Sequence, residues 1–143
     1  MLSAIPFAVA LVAVTVVVHA AGFSIMIRHF ADKYSAPPIQ ALAVALLLIR
    51  VTSCLILIHV AEISVWGFFY VWAKCLPDAE TAFYFSGITY TTVGYGDLVL
   101  PKQWRLFAPV EALAGILMCG LSAALFFALL NRIYVSRIQA KPK

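Results

Sequence analysis

Charge is scarce in this chain. Of its 143 residues only 11% are Asp, Glu, Lys or Arg, against about 25% in ordinary soluble domains, and 64% are hydrophobic. That balance excludes a freely soluble domain and leaves a membrane setting. Acidic side chains are the rarer sign, 6 against 10 basic, for a net charge of +4. No nucleic-acid partner is expected. Cysteine is sparse as well: Cys54, Cys75 and Cys119 match no metal spacing. Cys54 and Cys119 fall in apolar segments, where small buried thiols are ordinary, and Cys75 falls near an expected outer surface, where a free thiol is favoured over a cross-link between subunits. There are no internal repeats, no low-complexity stretches and no regularly spaced arginines of the kind that sense voltage. At 143 residues the chain reads as one domain, with no separate ligand-binding module and no organic cofactor expected.

Long apolar tracts are what the chain has instead. A membrane-crossing helix needs about 20 apolar residues, and three segments are long enough. The first, residues 5–27, lacks the basic leader of a secretory signal and reads as a retained helix. The linker 28–38 carries Arg28, Lys33 and the helix-breaking pair Pro37-Pro38. The tract 39–72 exceeds one crossing, so the crossing is placed at 51–72 with Arg50 at the inner interface. Residues 39–49 then either lie along that interface or extend the helix into the cytoplasm. The third span covers about 104–130, within an inner helix set at 103–133. A division follows into an N-terminal region 1–50, a second unit 51–133 and a basic tail 134–143.

Between the second and third spans, residues 79–91 are apolar but too short to cross, so this segment must enter the membrane and return. Pro77-Asp78 supplies a start signal, Asp78 can cap the first amides, and Glu80 sits near the positive end of the helix dipole. The negative end then points at the membrane centre beside Thr91 and Thr92, where a partly dehydrated cation needs stabilising. Arg28, Lys33, Arg50, Arg132, Arg137, Lys141 and Lys143 fall on one side of the membrane, opposed there by Asp32. That side is expected to be cytoplasmic, which puts the C-terminus inside and the N-terminus outside. The same basic residues suit anionic lipid headgroups, although ordinary topology determination explains them equally.

The run Thr91-Thr92-Val93-Gly94-Tyr95-Gly96-Asp97 follows this short segment directly. It resembles the selectivity filter of potassium channels, where carbonyl oxygens of a TVGYG loop replace the water an ion sheds. Gly94 and Gly96 permit positive φ, so that adjacent carbonyls can face one axis. From about residue 51 to 132 the chain resembles the potassium-channel pore module: outer helix 51–73, pore helix 79–91, filter 92–97 and inner helix 103–133. The resemblance implies an all-α membrane protein with three transmembrane helices, a re-entrant pore helix and a filter loop, assembled as a homotetramer. It implies K+ bound by Thr92, Val93, Gly94, Tyr95 and Gly96, with the Thr92 hydroxyl as a further ligand and Val93 and Tyr95 side chains pointing into surrounding protein. One loop covers one side of an ion, so three further identical subunits are needed to encircle it. The first helix lies outside the resemblance.

Several positions depart from well-known relatives. Ile88 stands where some carry a carboxylate that pairs with the acid after the filter, so Asp97 lacks that partner. Phe85 stands where many place a tryptophan donor, leaving Tyr84 to support the filter with Thr91 and Asp97. On the inner helix, Gly115 falls at the resemblance's gating hinge and Gly120 is a second weak point; close packing against a neighbouring helix suits both glycines equally. Pro109 is expected to kink the outer end of this helix. Ile116, Cys119, Ala123 and Phe127 share one helical stripe, which the resemblance turns toward the cavity, with Phe127 either a dewetting gate or packing between subunits.

His59, Glu62 and Glu111 are ionisable groups inside apolar spans and should face protein or water. His59 and Glu62 share a helix face, where a polar contact between helices is expected; a metal would need further ligands, and His19 and His29 look poorly placed. Glu111, one turn before Gly115, is expected to make a structural hydrogen bond behind the filter, with proton sensing as the alternative. The reading is a non-enzymatic, potassium-selective channel of the cell membrane passing ions down their gradient. Its alternatives are a weakly selective cation channel, a silent subunit needing another channel protein, and a membrane metalloenzyme using His59 and Glu62.

Overall fold

The computed structural model describes residues 5–33 and 40–139. Pro37, Pro38, Lys141 and Lys143, on which part of the linker and tail readings rests, lie outside the described residues. Four helices and no strand occur among the described residues: α1 (Ile5–Lys33), α2 (Ala41–Trp72), α3 (Ala79–Tyr90) and α4 (Phe107–Gln139). Three are long and apolar enough to cross a membrane, over Ile5–Phe30, Ala41–Trp72 and Phe107–Val135.

Helix ends differ from the expected ones where no residue dictates a stop. α1 continues through Arg28 to Lys33, because residues 28–33 contain neither Gly nor Pro. α2 runs unbroken past Arg50, since arginine is a good helix former and only its charge suggested a boundary. Its 32 residues span about 48 Å, well beyond a hydrocarbon core of about 30 Å, so the 41–49 stretch is a helical extension instead of a separate segment. α4 begins at Phe107, not at 103, after turns in which the Trp104 amide bonds Pro101 O and the Phe107 amide bonds Trp104 O. Pro109 is thus the third residue of α4, where its missing N–H removes no helical bond, and the expected kink has no cause there.

α2 is closed by a left-handed residue. Lys74 has φ 50°, the Cys75 amide bonds Tyr70 O at 3.0 Å, and the Lys74 amide bonds Val71 O at 3.1 Å. This pair of bonds satisfies the last carbonyls and turns the chain sharply toward α3. Cys75, placed near a surface by sequence, is instead buried and joins the core.

Two cores hold the helices, one at each end. At one end Trp66, Phe69 and Tyr70 of α2 meet Phe85 of α3, Phe107 of α4, and Ala8, Leu11 and Val12 of α1. Phe69 stacks on Phe107 with ring centroids 5.0 Å apart. At the other, Met26 of α1 packs with Leu47, Val51 and Leu55 of α2 and Ile133 of α4. α1 and α4 therefore both run antiparallel to α2, and the start of α1 lies at the same end as the 91–97 loop's exit into α4. Apolar side chains such as Ile25, Leu42 and Phe68 are exposed around the outside, as suits lipid.

Candidate functional site

α3 is fixed at its start by Asp78, whose Oδ1 accepts the Thr81 amide at 2.8 Å while Oδ2 accepts the Thr81 hydroxyl at 3.0 Å. Glu80 is the acidic residue of the first turn. The Thr81 amide holds the Asp78 carboxyl below the usual carboxylate range. A lowered folded value means the cap is present at neutral pH and is lost as pH falls through that value. Amide-exchange protection at Thr81 is expected to drop in acid for the native chain and to stay flat in Asp78→Asn, which keeps an acceptor that cannot titrate. Equal acid dependence in both would show that Asp78 is not the cause.

At the other end of α3 the chain leaves the helix without losing contact with it. The Thr91 amide and hydroxyl both reach Gly87 O, at 3.2 and 2.6 Å, the Thr92 amide bonds Thr89 O at 2.9 Å, and the Gly94 amide bonds Ile88 O at 3.0 Å. The loop then takes positive φ at every second residue: 62° at Thr92, 51° at Gly94 and 78° at Gly96. Such alternation departs from a strand, whose carbonyls point to opposite sides in turn. The glycines were legible in the sequence; Thr92 was not. A β-branched residue in the left-handed region is strained by about 1–3 kcal/mol, and such strain gathers at functional sites.

Residues 91–97 are all exposed on this chain. Val93 is 51% and Tyr95 72% exposed, so neither points into surrounding protein of the same chain. Behind the loop lies an apolar hollow lined in part by Ile88, Leu98, Ala108 and Ala112. The Tyr84 hydroxyl donates to Asp97 Oδ2 at 2.8 Å, giving the loop's last acid a partner in place of a carboxylate at 88. Phe85 is buried, edge-on to Tyr70 with centroids 5.3 Å apart. Glu111 is fully buried, accepts the Tyr70 hydroxyl at 2.6 Å and lies 2.5 Å from the Ser86 hydroxyl, which also reaches Ile63 O at 2.8 Å. It joins α4 to both α2 and α3.

The two inner-helix glycines have different surroundings. A side chain on Gly115 would land on the Tyr90 carbonyl, whereas one on Gly120 would meet nothing within 4 Å. Close approach is thus the structural role of Gly115, set against the last residue of α3. Ile116, Cys119, Ala123 and Phe127 form an exposed stripe on α4, with Phe127 at 69%. The thiol of Cys119 is therefore not among the buried ones.

The structure also assembles a polar node that sequence reasoning only half located. His59 Nδ1 lies 2.9 Å from Glu62 Oε2, as their spacing suggested, but His19 Nδ1 lies 2.7 Å from Glu62 Oε1. His19 is therefore well placed, not poorly. The Tyr90 hydroxyl donates to Glu62 Oε2 and lies 3.0 Å from His59 Nδ1, and His59 Nε2 reaches the Ser122 hydroxyl at 3.0 Å. Glu62 is fully buried and all four helices contribute. His19 stands in the middle of the first apolar span, where an ionisable group should face protein; that signal was available. Nothing in the sequence announced Tyr90, the last residue of α3, directly before the 91–97 loop.

A family model described as ion channel matches residues 57–132, more than half of the chain. No curated protein and no solved structure matches. The matched stretch takes in the second half of α2, all of α3, the strained loop and most of α4, so it contains the site residues described above apart from what α1 adds. With a helix too short to cross, a loop of alternating handedness at its end and two long apolar helices flanking them, the chain is a member of the ion channel family.

Proposed function

We propose that four copies of this chain surround a common axis and conduct K+ passively, with the carbonyls of Thr92, Val93, Gly94, Tyr95 and Gly96 as ion ligands. The observation that carries this reading is the positive φ at Thr92, Gly94 and Gly96 in a TTVGYGD sequence. Strain at Thr92 in a loop that one chain leaves uncovered is intelligible if the loop's work is done in a ring. Val93 and Tyr95 would gain cover from a neighbouring copy, and the exposed stripe of Ile116, Cys119, Ala123 and Phe127 would line the inner cavity. Basic residues at the Arg28, Arg50 and Arg132 end support a cytoplasmic location for that end, with the filter opening to the outside. No chemistry is done on the ion.

The test is flux through liposomes holding only the purified chain, followed by reversal potentials in mixed potassium and sodium. Potassium flux with a reversal potential near the potassium equilibrium value is expected. No flux would make the chain a silent subunit, and a reversal potential near zero would make it weakly selective.

A further inference from the structure

The geometry points to a transition-metal site of the Zn2+ class formed by His19, His59 and Glu62. Each offers one ligand atom, these atoms all lie within 4.8 Å of one another, and the residues come from two helices. Two imidazoles and one carboxylate are a donor set that suits Zn2+, whereas Ca2+ and Mg2+ take oxygens. In a tetrahedral site with bonds of 2.0–2.2 Å, neighbouring ligand atoms stand about 3.3 Å apart. The His19 Nδ1–Glu62 Oε1 and His59 Nδ1–Glu62 Oε2 contacts are 2.7 and 2.9 Å, so entry of a metal asks these two pairs to open by about half an ångström.

The surroundings suit a metal further. His59 Nε2, free of the carboxylate, is 3.0 Å from the Ser122 hydroxyl, which fixes the ring as an outer partner does in metal sites. His19 is 3% exposed, so a metal at its Nδ1 would be shielded from water. One carboxylate leaves a dication half neutralised in a buried site; the Tyr90 hydroxyl touches both Glu62 Oε2 and His59 Nδ1 and is a second oxygen that can ligate as phenolate, its proton being released to bulk water as the metal binds. Metal binding thus replaces shared protons and draws on the contact that holds the end of α3. The inference stands apart from conduction, since it concerns binding alone.

Titration of the purified full chain with Co2+ and then Zn2+ tests it. One ion per chain is expected, with visible Co2+ absorption displaced by Zn2+ and unaffected by excess Ca2+. His19→Gln and His59→Gln, which keep polar side chains, should weaken binding by more than about 100-fold, exceeding the 10–100-fold typical of outer-partner changes. His29→Ala, outside the cluster, should bind as the native chain does. Because the glutamine variants risk misfolding, X-ray absorption on the Zn2+-loaded native chain gives a second reading, with nitrogen and oxygen neighbours expected. No stoichiometric binding, native affinity in both glutamine variants, or sulfur at the metal would each overturn the site.

Discussion

Potassium current is expected to fall to background in Gly94→Ala while the protein still inserts and assembles. Gly94 holds φ 51°, and nothing lies within 4 Å of where a side chain would start, so the effect is conformational and not a clash. An L-residue in that region costs roughly 1–2 kcal/mol, and the proposed fourfold ring would bear the cost in every copy, about 4–8 kcal/mol in all. Relaxation to negative φ turns a carbonyl away from the axis at each position, and an ion that has shed its water loses a whole layer of ligands. Single-channel recording in bilayers reads the current, and size-exclusion chromatography reads assembly. Unchanged current would remove this loop from the conduction path.

Gly115→Ala is expected to have the second largest effect, and the reason is steric. The added methyl would fall on the Tyr90 carbonyl, which belongs to the helix end and has no rotamer with which to move aside. Overpacking of this kind costs about 1–3 kcal/mol, occasionally more, in each copy. The thermal unfolding midpoint should drop and current should fall with it. Gly120→Ala, with open space around it, should leave both unchanged. The pair separates packing from hinging: native stability in Gly115→Ala with only altered opening would mean that bending, and not close approach, is what this glycine provides.

What could be read in advance, and what could not, divides along physical lines. Membrane spans depend on length and apolarity, which are additive along the chain, so all three helices and the short α3 between them were legible. Their ends were less so, because charge marks an interface but does not stop a helix; α2 passes Arg50 and α1 passes Arg28 on that account. The 91–97 motif was legible because its meaning is carried by consecutive residues. The Glu62 node was legible only in the half that lies within one helix. His59 and Glu62 are three residues apart on α2, but His19 is 43 residues from Glu62, and which turn of α1 faces which turn of α2 is fixed by packing such as that of Trp66, whose indole N–H donates to Thr15. Tyr84 on Asp97 lay between these cases: the missing carboxylate at 88 was visible, and the substitute donor was one of the side chains within reach.

The contact between His19 and Glu62 bears on anyone who would trim this protein. A designer seeking the smallest conducting fragment would cut before Ala41 and keep the two helices and loop that the family shares. That cut removes His19 and Thr15 and turns one side of α2 toward acyl chains, leaving a carboxylate without one of its three partners at a depth where several kcal/mol ride on every unpaired charge. The amputated version is poorly suited to lipid unless Glu62 is exchanged for an uncharged residue at the same time, so the leading helix is best regarded as a fitted partner of α2 and not as an appendage.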